Sequence, residues 1–124
     1  MPVMQSKGQV EAQIAAAFTT FEREQMGRGP SEVRARIVDD MIVIRLKDVL
    51  TPAERRLTED PNSRYLLKGV RTRLIENSRS LLDQVIENLT GVAVVSLHSD
   101  LSIRTGERVV VFTLAENLEA RFQR

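Results

Sequence analysis

The sequence predicts an α+β fold: an antiparallel sheet of about four strands from two hairpins, with helices packed on one face. Three observations carry this expectation. Residues 33–46 and 92–114 are rich in β-branched side chains, and each stretch is broken by turn residues, Asp39-Asp40 and Thr105-Gly106. Residues 7–25 and 62–89 instead repeat apolar side chains at three- and four-residue steps, the period of a helix. The resulting order is helix, hairpin, two helices, hairpin, with no residue-level repeat at a fixed offset.

In the first segment Val10, Ile14, Ala17, Phe18 and Phe21 recur at helical steps, with Glu11, Glu22, Arg23 and Glu24 on the other faces. After a loose start, an amphipathic helix is expected over about residues 7–25. Gly27-Arg28-Gly29-Pro30 ends it, because glycine permits a left-handed cap and proline disfavours helical geometry in the residue before it. The same motif is a candidate anion nest with Arg28 as its charge. Val33, Ala35 and Ile37 then alternate with Arg34 and Arg36, and Met41-Ile42-Val43-Ile44-Arg45-Leu46 resumes the pattern after the turn. One face of this hairpin carries Arg34, Arg36, Arg45 and Lys47 and is expected to meet water. It has no aromatic side chain to stack on a base, so a solvated surface outweighs a nucleic-acid interface.

Thr51-Pro52-Ala53-Glu54 is a capping box with proline at the first helical position, and the short helix it starts should stop before Asp60-Pro61. One long helix is expected over residues 62–89. Leu67, Val70, Leu74, Leu81, Val85 and Leu89 form its apolar stripe, widened by Ile75, Leu82 and Ile86 to nearly half the circumference. Such an arc is wider than one sheet face needs, so the helix should also meet another helix, from its own chain or from a second copy. Arg71 and Ser78 fall inside the arc. A charge there must be paired, or lie at the edge with only its stem covered, so Arg71 is expected at the edge beside a carboxylate, with an anion contact as the alternative. Gly91 caps the helix and opens the second hairpin, and residues 115–122 add a short final helix with a fraying end.

A chain of 124 residues fits one domain, 1–124, with an ordered core over about 8–117. Lys and Arg total 18 against 17 Asp and Glu, so a net charge of +1 supplies no general attraction to nucleic acid or anionic membrane. Cysteine is absent and His98 is the single histidine, which removes disulfides, thiolate chemistry and multi-histidine metal sites. No metal and no cofactor are expected. The N-terminal residues lack the apolar core of a signal peptide, and no apolar run reaches the roughly 20 residues of a membrane span. The composition suits the cytoplasm.

The densest set of ionisable side chains surrounds the second turn: His98, Asp100, Arg104, Glu107 and Arg108 are the candidate ligand-binding residues, with Arg28 and Arg71 as candidate anion contacts. No catalytic residues are assigned, because neither a phosphate loop, a dinucleotide fingerprint nor a nucleophile-base-acid set is present. His98 and Asp100 share a face of an extended strand, a spacing that any two polar residues can have. Gly106 is expected at a positive φ in the turn.

Met26-Gly27-Arg28-Gly29-Pro30 after a helix, Asp40-Met41-Ile42, Leu50-Thr51-Pro52-Ala53-Glu54, Arg73-Leu74-Ile75-Glu76-Asn77, and the hairpin from Thr90-Gly91-Val92 to Thr105-Gly106-Glu107-Arg108 together resemble the MpsC-type domain. The resemblance covers about residues 8–117. It implies a small bacterial protein linked to a sodium-translocating system that generates membrane potential, and it brings no assigned catalytic residues. The expected function is a non-catalytic accessory or regulatory protein-interaction module, acting as a homodimer and engaging another protein that is membrane-associated. An anion- or nucleotide-binding domain using Arg28, Arg71, Arg104 and Arg108 is the alternative, and a nucleic-acid binder using Arg34, Arg36 and Arg45 the next.

Overall fold

The structure, a computed structural model, describes residues 5–122. The loose start and the fraying end fall partly on residues 1–4 and 123–124, outside the described residues. Helix α1, Lys7–Gln25, opens on a capping box in which Ser6 and Gln9 satisfy each other's backbone N–H. It ends at Met26, and Gly27 follows at φ +90°, the left-handed conformation that glycine adopts without strain. Strands β1, Glu32–Val38, and β2, Met41–Lys47, form the first hairpin around Asp39, with Arg34 directly opposite Arg45.

Helix α2, Pro52–Leu57, carries the expected capping box on Thr51 and Glu54. Asp60 then caps a second helix whose first residue is Pro61. The one long helix expected over residues 62–89 is in fact two, α3 at Pro61–Asn77 and α4 at Arg79–Thr90. Ser78 breaks it: the backbone N–H is shared between the Leu74 and Ile75 carbonyls, and the hydroxyl donates to the Leu74 carbonyl at 2.8 Å. Gly91, at φ 72°, closes α4. Strands β3, Val94–Ser102, and β4, Glu107–Leu114, form the second hairpin, and a 3₁₀ turn at Glu119–Phe122 replaces the expected final helix.

Among the described residues the four strands make one antiparallel sheet in the order β1-β2-β4-β3, an α+β arrangement with four helices. Ile42, Ile44, Leu46, Val110, Phe112 and Leu114 point from its two central strands into the core, against Ile14 and Phe18 of α1 and Ile75, Leu82 and Ile86 of α3 and α4. Phe18 meets Phe112 edge-on, ring centroids 5.9 Å apart. The opposite face carries Arg34, Arg36, Arg45, His98 and Asp100, all exposed. Among the described residues no helix is long and apolar enough to cross a membrane.

Gly106 lies at φ +73°, and its N–H donates to the Ser102 carbonyl at 2.8 Å while its carbonyl accepts from Val49 at 3.0 Å. A Cβ there would sit 3.6 Å from Arg55 Nη2, an ordinary contact, so a side chain is opposed by the backbone angle rather than by space. Gly106→Val is therefore expected to lower the unfolding free energy by about 1 kcal/mol or more. An unchanged midpoint in urea would show that the turn tolerates a β-branched residue.

Candidate functional site

Among the described residues three charged side chains occupy core positions. On α1 the four-residue series Val10, Ile14, Phe18 continues to Glu22, which is 0% exposed rather than on a polar face as expected. On α3 the series Leu67, Arg71, Ile75 buries Arg71, and on β4 the alternation Leu114, Phe112, Val110 leads inward to Arg108. Arg71 is paired with carboxylates as expected, but the whole side chain is buried at 1% exposure rather than lying at the edge of the arc. A lone charge in such a place costs several kcal/mol, so these groups are tolerable only because they meet.

Arg71 grips Glu54 of α2 in a two-pronged contact, Nε donating to Oε2 at 2.9 Å and Nη2 to Oε1 at 2.7 Å, and Nη2 also donates to the Val49 carbonyl at 2.6 Å. The same Oε1 accepts from the Thr51 backbone N–H at 2.8 Å, so the capping box that starts α2 also fixes the carboxylate for α3. Glu22 lies between the two arginines, 3.6 Å from Arg71 Nη1 and 3.5 Å from Arg108 Nε. These are ion pairs without hydrogen bonds, and both Glu22 oxygens, Arg71 Nη1 and Arg108 Nε and Nη2 lack a hydrogen-bond partner. Arg108 Nη1 donates to Ser99 Oγ at 3.1 Å. Two guanidiniums and two carboxylates balance in charge and tie α1, α2, α3 and β4 together. Of these four side chains Glu54, 22% exposed, reaches solvent, while Glu22, Arg71 and Arg108 are buried.

Burial pushes the Glu22 carboxyl above its ordinary value of 4.5, against the pull of Arg108 and Arg71. Burial likewise lowers Arg108, opposed by Glu22. For Glu54 burial is the largest influence and pushes upward, yet the bonds from Arg71 and Thr51 together outweigh it and hold the group low. The folded state therefore holds the Glu22 proton more tightly than the unfolded chain does. Stability from this group is fully present below about 4.5 and is lost as pH rises through the higher folded value. Glu22→Gln lacks that titration, so wild type is expected to lose stability relative to Glu22→Gln as pH rises from 4 toward neutrality, on the order of 1.4 kcal/mol for each unit by which the two values differ. Urea unfolding across that range measures it. A difference that runs the other way would mean that the arginines outweigh burial.

The candidate residues near the second turn divide between the two faces of the sheet. Arg108 turns inward to Glu22, while Glu107 turns outward and accepts from Arg45 Nε at 2.6 Å. Asp100, 78% exposed, receives Lys68 at 3.1 Å, and this bond lowers its carboxyl below the ordinary range. His98 shares the outer face with Asp100 and bonds Ser96 Oγ at 3.2 Å. Arg104 is exposed in the turn itself, apart from Arg108. Arg28 donates to the Leu50 carbonyl at 3.4 Å, next in the chain to the Val49 carbonyl that Arg71 bonds. On the outer hairpin face Arg34 and Lys47 both pair with Glu32, so much of its positive charge is locally matched.

A second feature is an uncovered apolar face. Of the expected wide stripe, Leu67, Ile75, Leu82 and Ile86 are buried, whereas Val70, Leu74 and Leu81 remain exposed, as does Leu66, which the stripe did not include. Leu66, Val70 and Leu74 form a row at four-residue steps along α3, and Leu57 of α2 joins Leu66, Leu67, Val70, Glu54 and Ser63 around a hollow of about 280 Å³ beside it.

A family model described as "Na+-translocating membrane potential-generating system (MpsC)" matches residues 6–116. The chain belongs to the MpsC family. It is 40% identical over 119 residues to the uncharacterized protein YbcI of Bacillus subtilis (strain 168), covering 96% of each chain. It is 29% identical over 100 residues to the uncharacterized protein YrhF of the same strain, covering 80% of this chain and 82% of that one. No solved structure matches significantly. The matched span contains Glu22, Glu54, Arg71 and Arg108, so in this MpsC-family chain the buried cluster belongs to the domain itself and not to an appended tail.

Proposed function

We propose that this chain is a non-catalytic accessory or regulatory protein-interaction module that acts in the cytoplasm as a homodimer, the second copy resting on the apolar face of α3. The uncovered row carries this reading: Leu66 is 66% and Val70 56% exposed, in line with Leu74 and beside Leu57. Together these side chains offer on the order of several hundred Å² of apolar surface, the size of patch that often marks an interaction site. The row is also self-complementary. In an antiparallel contact about a two-fold axis at Val70, Leu66 of one copy faces Leu74 of the other, and Val70 meets its own equivalent. Gly69 lies next to the row, where a Cβ would meet nothing within 4 Å, so no side chain there holds the helices apart.

Catalysis is disfavoured because the convergent ionisable set is balanced in charge and buried except at the edge of Glu54. The family's description names a sodium-translocating system, and the accessory reading takes the dimer to a membrane-associated protein through a surface other than α3. Light scattering at micromolar concentration is expected to give twice the chain mass of 14.0 kDa. The mass of a single chain under those conditions would overturn the dimer.

A further inference from the structure

We propose that the cleft between the start of α3 and the β3–β4 turn binds a small phosphate monoester, an assignment independent of the dimer face. The cleft is an open hollow of about 490 Å³ lined by Thr58, Arg64, Ile103 and Arg104. Arg64 belongs to the first turns of α3 and Arg104 to the hairpin turn, so two separate elements bring an arginine to one hollow. Among the described residues neither guanidinium pairs with a carboxylate, although the cations on either side do: Arg55 with Asp48 at 2.9 Å and Lys68 with Asp100 at 3.1 Å. Asp60 is the acid in the field of Arg64, and its Oδ2 already accepts from the Ser63 N–H at 2.9 Å and hydroxyl at 2.8 Å. Glu59, next to it in the chain, is exposed.

These two arginines thus differ from Arg71 and Arg108, whose charge is spent on buried carboxylates. Two unmatched guanidiniums in one cleft suit a dianion, and their planar forks fit the oxygens of a phosphate better than a point charge would. The space exceeds what a bare phosphate fills and falls within the roughly 300–1,000 Å³ of small-molecule sites. Ile103 supplies an apolar wall for the organic group of an ester.

The test is titration of the ¹⁵N-labelled full chain with phenyl phosphate, followed by amide NMR, with benzoate as the comparison anion. Saturable shifts are expected at Arg64, Ile103 and Arg104, with a dissociation constant on the order of 1 mM or tighter. Arg64→Gln or Arg104→Gln alone should weaken binding by about tenfold or more, and the double variant should abolish it. Both side chains are exposed, so amide shifts elsewhere report that the variants remain folded. Absence of saturation, equal binding of benzoate, or undiminished binding by the folded double variant would overturn the assignment.

Discussion

Arg71→Met is expected to lower the unfolding free energy by about 3–5 kcal/mol, a large part of the roughly 5–15 kcal/mol that holds a domain of this kind together. The substitution keeps the length of the stem but removes both contacts to Glu54 and the bond to the Val49 carbonyl. Val49 is fully buried, so its carbonyl loses its Arg71 donor with little water at hand. Glu22 keeps Arg108 as its near cation, at 3.5 Å and without a hydrogen bond. Arg71→Lys should recover only part of the loss, because one ammonium cannot span both Glu54 oxygens and reach Glu22 as well. An exposed pair such as Arg45 with Glu107 is a different case, contributing about 0–1 kcal/mol in solvent. Urea unfolding measures the difference as a shift in midpoint at constant slope. A loss under about 1 kcal/mol would mean that the four elements are held by apolar packing alone.

Local signals were legible in the sequence, and the meeting of charges was not. The glycines after Met26 and the Thr51-Glu54 box act within a few residues of themselves, so the end of α1 and the start of α2 follow from them directly. The two hairpins follow from alternation and their turns, and Gly106 has the expected positive φ. The break at Ser78 is hidden because one hydroxyl bond to Leu74 interrupts the helix without disturbing the apolar period on either side.

Glu22, Arg71 and Arg108 each left a trace, since each continues an otherwise apolar series on its own element. Arg71 stands out for that reason, while Glu22 reads as part of a polar face with Arg23 and Glu24, which are the residues that do face solvent. Charge at a core position on three elements at once is a sign of pairing across the fold, even though a single sequence cannot say which partner each will find. The dense set around the second turn misled in the opposite sense. Sequence proximity put Arg104 and Arg108 together, but the strand's period of two sends Arg108 to the core and Glu107 to solvent.

Leu66→Glu combined with Val70→Glu is expected to convert the proposed dimer to a monomer without unfolding the chain. Both side chains are already more than half exposed in the single chain, so the glutamates are solvated there and cost little. In the two-fold contact the same positions are covered, and each dimer holds each substitution twice. A central side chain in such a contact is worth about 2 kcal/mol or more, so even one position changed on both copies removes about 4 kcal/mol, or about a thousandfold in the dissociation constant. Like charges facing one another across the axis add to this. Light scattering should then give 14.0 kDa for the variant where wild type gives twice that value, with the unfolding midpoint preserved at low concentration. If the double variant keeps the mass of wild type, the second copy does not rest on α3, and the apolar row must be covered by a partner of another kind.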